Sequence, residues 1–319
     1  MTTAKIVIPI SVLAVLVIIA NGAVCLLVCI NRNLRTYTNG FIVSLAVSDI
    51  LVGVTLFLQY ALSVVSPVAL NILYTTALVG SVANLSAVTF DRHLACMKPF
   101  NYAEIIAKYF GTIVTLCWLT AVTSAVLPVC WLDSDVAALA LKIYQFCILI
   151  LGIAAPYIWI FLCYLRIFRQ VRKIVKREKE ITNSVHGRSL NESTANRVSS
   201  EAKVAKVFGV IAVMFVLSWL PIIWTTLVYA VGKPHLLPEA ITVLSPFTLA
   251  FGSIINPVIY SFMKPDFRTV GRKLLYSNAL PQFSFKDEIC SQNKDEFLGI
   301  SRITVPSIVH SQSLEQLNI

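Results

Sequence analysis

The sequence predicts an all-α membrane protein, a seven-transmembrane helix bundle with a short amphipathic helix after the seventh span. Three observations carry that prediction. Of 319 residues, 57% are hydrophobic and 13% charged, where a soluble domain carries about 25% charged residues. Seven apolar stretches each reach the roughly 20 residues that a membrane crossing needs. Lysine and arginine then fall overwhelmingly in alternate connections between those stretches, as expected of a chain sorted by the positive-inside rule.

The stretches cover residues 6–30, 40–62, 68–95, 109–131, 141–167, 204–231 and 239–262. The first begins close to Met1, but its apolar run from Ile6 to Ile30 exceeds the about 7–15 residues of a signal-peptide core. With Asn21 inside it, it reads as a retained helix. Three of the connections, after residue 62 and around Leu132–Ala140 and Gly232–Pro238, are too short to fold into a domain. The longest connection, 166–206, holds eleven basic residues, from Arg166 to Lys206. Its middle is rich in serine and asparagine and reads as disordered. Pro265 and Asp266 can open an interfacial helix over about 265–276, since proline is tolerated in a first turn. Its apolar face would be Phe267, Val270, Gly271, Leu274 and Leu275, with Lys264, Arg268, Arg272 and Lys273 remaining polar. Residues 277–319 are expected as a polar, disordered tail.

Basic residues set the orientation. Arg32 and Arg35, Lys98 and Lys108, the eleven of 166–206, and Lys264 onward share one side, against Lys5, Lys142 and Lys233 on the other. This predicts a multi-pass plasma-membrane protein with its N-terminus extracellular and its C-terminus cytosolic. The net charge of +10 lies mostly in that cytosolic belt, where it attracts anionic lipid. Nucleic acid is not an expected partner. Of eight cysteines, only Cys130 and Cys147 approach the oxidising face, and their spacing leaves open whether they pair.

Polar groups inside a span are costly and mark sites of use. Asn21, Asp49, Ser81, Ser253 and Asn256 would meet if the first, second, third and seventh spans pack together. A carboxylate with hydroxyl and amide oxygens can hold a hard cation such as Na⁺. The same residues could equally form a closed hydrogen-bond network. Pro128, Pro156, Pro221 and Pro257 each remove a helical hydrogen bond and allow a kink. Trp219 and Phe215 would move with the one at Pro221. Arg92, ending the third span in Asp91-Arg92-His93, has two acidic partners within reach by sequence, Asp91 and Glu201. It either snorkels to the interface or latches the third span to the sixth, whose release would open a cytosolic cleft.

These residues resemble the rhodopsin-like (class A) G-protein-coupled receptors over about residues 6–276. The resemblance rests on Asn21, Asp49 in Leu45-Ala46-Val47-Ser48-Asp49, Asp91-Arg92-His93, Trp118 and Pro156 with Tyr164. It continues through Phe215 with Ser218-Trp219-Leu220-Pro221, Asn256-Pro257-Val258-Ile259-Tyr260, and Phe267. It implies a receptor that binds an extracellular ligand and activates heterotrimeric G proteins by opening its cytosolic face. Arg92 would contact the G protein, with Glu201 restraining it at rest. Trp219, Phe215 and Pro221 would relay pocket occupancy; Tyr164 and Tyr260, beside Asn256 and Pro257, would stabilise the open state. Asp49, Ser81 and Asn256 would form an allosteric Na⁺ site, with no other cofactor. Receptor kinases and arrestin would act on serines and threonines of the tail.

The chain departs from the family pattern in ways that narrow the ligand. His93 and Ser218 replace the usual Tyr and Cys. Pro67 stands where the third span's disulfide cysteine is normally found, and Arg92 follows Asp49 by only 43 residues. Tyr74 occupies the position of the amine-binding aspartate, and segment 239–262 has no lysine for a retinal Schiff base. The inferred pocket is Gln59, Tyr74, Leu78, Ile148, Trp219, Ile222, Ile223 and Thr226. With short outer loops, this leans toward the melanocortin, lipid and adenosine-like branch. Other classes fare worse. A transporter would show repeated halves, and a pore a recurrent polar face. No His/Cys/Asp cluster has metal-ligand spacing and no Ser-His-Asp set converges, so an enzyme is not expected. A non-signalling decoy receptor is the remaining alternative, opposed by the intact Asp91-Arg92 and Asn256–Tyr260 motifs.

Overall fold

The computed structural model describes residues 2–62, 66–131, 137–184, 213–214, 217–264 and 266–271. Every regular element among them is helical. The first span is Thr2–Ile30, and the second is Tyr37–Phe57, prolonged by a π-helical turn, Leu58–Leu62. The third is Pro67–Met97; the fourth is Tyr102–Val126 with a 3-10 turn, Leu127–Trp131. The fifth joins Ala137–Cys147, a π-helical segment Ile148–Ala154, and Ala155–Ser184. The sixth is described over Leu217–Ala230, and the seventh is Glu239–Met263. Six of these are long and apolar enough to cross a membrane, and Leu217–Ala230 is a shorter apolar helix.

Local chemistry sets several of the ends. Thr36 caps the second span by accepting the Asn39 amide at 3.2 Å. Ser66 does the same for the third through the Ala69 amide, with Pro67 in the first turn. Proline suits that place because its missing N–H would be unpaired there anyway. The π-helical segment of the fifth span lies just before Pro156, whose missing amide loosens the preceding turn. Proline also stands inside the first and seventh helices, at Pro9, Pro246 and Pro257.

The third span is central. It packs on the second, fourth and fifth, while the first packs on the second and seventh. Ile42, Leu45, Val82, Leu85 and Ile160 fill the interior. Ile19, Leu119, Phe161 and Phe251 point outward, exposed. Apolar residues on both faces mean that water supplies no stripe-against-core pattern; these helices are apolar all round, as suits spans in lipid. Their association then depends on close packing and polar contacts. Gly53 makes one close approach possible: a Cβ there would meet the Ala14 carbonyl oxygen at 2.9 Å and Ile18 at 2.8 Å. Gly53→Val is therefore expected to cost about 1–3 kcal/mol by overpacking, read as a lower melting temperature of the purified protein. An unchanged midpoint would mean that the first two spans part freely.

One question left open by the sequence is answered, and one expectation changes. Cys130 and Cys147 are both exposed and free, so the bridge left open by the sequence is not formed. Beyond the seventh span, residues 266–271 are helical, with Phe267 buried, Val270 packed on the core, and Asp266 and Arg268 exposed. Lys264, however, does not stay on the polar face: it is only 7% exposed. It precedes that helix rather than sharing its face, and its side chain turns under the start of the second span. Pro265 and residues 272–319, which include the expected tail, lie outside the described residues.

Candidate functional site

Asp49 is fully buried in the second span and gathers three other helices around it. Ser253 Oγ donates to its Oδ1 at 3.0 Å, and Asn256 Nδ2 donates to its Oδ2 at 2.8 Å. Asn21 Nδ2 ties the first span to the seventh through the Ser253 carbonyl at 3.1 Å, and also reaches the Val17 carbonyl at 3.0 Å. Ser81 of the third span faces the same carboxyl, yet its Oγ is buried without a hydrogen bond of ordinary geometry. A carboxylate offers about four acceptor positions, and two are used here. With an orphaned hydroxyl beside it, the oxygen-rich donor set fits a hard monovalent cation. Asp49, Ser81, Ser253 and Asn256 are thus brought together in one buried cluster.

A second polar group lies at the far end of the third span. Arg92 Nε donates to Asp91 Oδ2 at 2.9 Å, and its Nη2 reaches both Asp91 and Thr38. Asp91 is fully buried and the Arg92 side chain is 12% exposed. Such a carboxylate is tolerable only with its lone pairs occupied. Thr38 Oγ1 donates to Asp91 Oδ2 at 2.9 Å and Tyr102 Oη donates to Oδ1 at 2.7 Å. The knot therefore joins the starts of the second and fourth spans to the end of the third. Sequence reasoning missed Thr38 and Tyr102. Their only signal was that both are hydroxyl residues standing where a span begins.

Next to Thr38, Asn39 is completely buried. Its Nδ2 donates to the Leu34 carbonyl at 2.7 Å, which turns its Oδ1 toward Lys264; the Lys264 ammonium donates to that oxygen. The Phe267 ring lies 5.5 Å from the same ammonium, and Asp266 lies 4.0 Å away. Burial pushes the Lys264 pKa down to about 8, helped by repulsion from Arg92 and opposed by Asp266 and Asp91. Tyr164 Oη, also buried, lies within electrostatic reach of Arg92 and near Thr89, without an ordinary hydrogen bond. Glu201, Phe215 and the Tyr260 side chain lie outside the described residues.

Of the pocket residues, Trp219, Leu78 and Ile222 are buried, and Tyr74, Ile148 and Ile223 pack partly buried against the same apolar cluster. Tyr157 of the fifth span meets Trp219 edge-on, ring centroids 6.3 Å apart, a contact not foreseen from sequence. Pro221 and Thr226 are half-buried; Gln59 is exposed, while its neighbour Tyr60 joins the cluster. Both residues sit on the π-helical turn Leu58–Leu62, whose wider turn moves side chains off the α-helical register. Elsewhere, Trp118 Nε1 donates to Ser44 Oγ at 3.0 Å and Ser44 to Asn84 Oδ1 at 2.7 Å, linking the second, third and fourth spans.

Known proteins share this plan. The model of the family described as 7 transmembrane receptor (rhodopsin family) matches residues 20–260. The D(1)-like dopamine receptor of Oreochromis mossambicus is 29% identical, over 90% of this chain and 84% of its own length. Adenosine receptor A2a of Homo sapiens is 27% identical, over 85% of this chain and 72% of its own. Melanopsin of Homo sapiens is 26% identical, over 75% and 55% respectively. A family match spanning most of the chain, on a helical bundle that assembles these polar groups, leads to one conclusion: the chain belongs to the rhodopsin family of seven-transmembrane receptors and is a G-protein-coupled receptor.

Proposed function

We propose that this receptor sits in the plasma membrane with its N-terminus outside, binds a small extracellular ligand, and catalyses nucleotide exchange on a heterotrimeric G protein by opening its cytosolic face. The observation that carries the reading is the Asp91–Arg92 knot. A guanidinium is held there at the end of a central helix by side chains from the second span, beside an unpaired tyrosine hydroxyl on the fifth. Its contacts are polar and can be exchanged for others without unfolding the bundle. When the sixth span moves, Arg92 turns toward the G protein and Tyr164 supplies a new partner for it, with Tyr260 acting alike from the seventh. Ligand and G protein favour the same open conformer, so each raises the affinity of the other.

Trp219 is buried in the same apolar cluster as Ile222, and its edge contact with Tyr157 would let occupancy at Ile222 or Ile223 reach the fifth span. The ligand does not follow from the relatives' names. Tyr74 is not an acid, so an amine has no counter-ion in the outer half of the third span. The seventh span has no lysine between Glu239 and Phe262, so a retinal Schiff base has no anchor. An uncharged or weakly polar small molecule, of the lipid or nucleoside kind, fits the lining best. At the Asp49 chamber, Asp49, Ser81 and Asn256 would hold Na⁺, which would supply a counter-charge to the buried carboxylate. Serines and threonines of the tail are the substrates for receptor kinases and, once phosphorylated, the contacts for arrestin.

The test is exchange on purified heterotrimers of several Gα subtypes, with the receptor in lipid nanodiscs, alone and with lipid, nucleoside and peptide libraries. Accelerated GDP release by at least one heterotrimer is expected. Binding of ligand without exchange on any heterotrimer would make the receptor a decoy. Glu201→Ala is expected to raise ligand-independent exchange; an unaltered or lowered basal rate would count against a latch between the third and sixth spans.

A further inference from the structure

We infer that Asn39 and Lys264 are positioning residues for G-protein activation: their contact tethers the end of the seventh span to the start of the second and restrains the resting receptor. The inference deepens the function proposed above. It rests on how the contact is built.

Asn39 does not reach Lys264 by chance orientation. Its amide nitrogen is committed to the Leu34 carbonyl at 2.7 Å, so the amide oxygen faces the other way, where the Lys264 ammonium meets it. Leu34 closes the 3-10 turn Arg32–Leu34 that links the first two spans. The tether therefore runs from that connection, through Asn39, to the residue that follows the seventh helix, Glu239–Met263. Thr38, one residue earlier, holds Arg92 and Asp91 of the third span. The first turn of the second span thus grips both the third span and the seventh, through adjacent side chains.

Stability gives little reason to bury this lysine. Burial penalises the ammonium and Arg92 repels it, and the lowered pKa records that the fold disfavours the charge. A buried charged group of this kind often holds the fold together less well than apolar residues of similar size would. What the arrangement does provide is directional: an ammonium against a preset oxygen, beside the Phe267 ring. It fixes where the end of the seventh span lies relative to Arg92. One helical turn before Lys264 stands Tyr260, which the proposed activation requires to move. Loosening the tether frees that turn.

The experiment is a double-mutant cycle in nanodiscs, reading basal exchange on the heterotrimer that the wild type activates, together with the thermal midpoint. Lys264→Met and Asn39→Leu are each expected to raise basal exchange about fivefold or more, the lower end of usual coupling between sites. The double variant is expected to match the single ones rather than multiply them. Its midpoint should be no lower than that of the wild type, because both partners have become apolar together and the Leu34 carbonyl still accepts from the Thr36 amide at 2.9 Å. Lys264→Arg, which keeps a cationic donor, should retain the wild-type basal rate. Unchanged basal exchange in the single variants, multiplicative effects in the double variant, or a raised rate in Lys264→Arg equal to that of Lys264→Met would each overturn the tether. Should a single variant fail to fold, the double variant and Lys264→Arg still decide the matter. If the wild type drives exchange on no heterotrimer, the proposed activity itself fails, which is a separate result.

Discussion

Arg92→Ala is expected to reduce exchange on a purified G protein to the rate of the G protein alone, while the receptor still reaches the cell surface. The loss should be complete because alanine offers neither charge nor donor, and Lys98, the next cation at that end of the third span, is exposed rather than held against Asp91. Folding should survive because Asp91 is not stranded. Tyr102 and Thr38 still donate to it, at 2.7 and 2.9 Å. The penalty should therefore be smaller than the about 3–5 kcal/mol seen when a buried ion pair loses one partner without replacement. Arg92→Lys sharpens the test. A lysine can meet Asp91 as a point charge but cannot reach Asp91 and Thr38 together with a planar fork, so partial activity is expected. Full exchange by Arg92→Ala would refute the assigned role. Loss of surface expression together with activity would instead place Arg92 among the groups that hold the bundle.

Asp49 should give the second large effect, on stability first and on cation response next. In Asp49→Ala the buried Ser253 hydroxyl and Asn256 amide both lose their acceptor. Each stranded group costs about 1–3 kcal/mol, so the thermal midpoint should fall by several degrees. Asp49→Asn keeps an acceptor and should fall less. The wild type should melt at a higher temperature in sodium chloride than in N-methylglucamine chloride at equal ionic strength, because a ligand that binds only the folded state stabilises it. Asp49→Asn should lose that difference. An equal response to the two salts in wild type and Asp49→Asn would remove Na⁺ from the chamber and leave the hydrogen-bond network as its role.

Both experiments concern residues that the amino-acid sequence alone singles out, and the reason is physical. A carboxylate such as Asp49, or an arginine such as Arg92, is too costly within or beside lipid to occur without a use. The apolar stretches likewise announce themselves, since about 20 residues without charge serve few purposes outside a membrane. Other members of the same sites carry no such signal. Thr38, Asn39 and Tyr102 are ordinary polar residues at the start of a span, and Lys264 looks like one more cation of the cytosolic belt. Tyr60 rather than Gln59 turns toward the core because a π-helical turn shifts the register, and neither residue type foretells it.

What composition and spacing determine in this protein is therefore the helical membrane class, the number of spans, and the few polar groups that must have company. Hydrophobicity and charge are properties of single residues, and their cost in lipid can be read one position at a time. Which partners those groups find was decided only by tertiary packing. Asp49 meets Asn256 across 207 positions of sequence, and Asn39 meets Lys264 across 225. Such pairings depend on which helices lie side by side and on the rotation of each about its axis. Helices that are apolar all round carry little record of that rotation in their sequence.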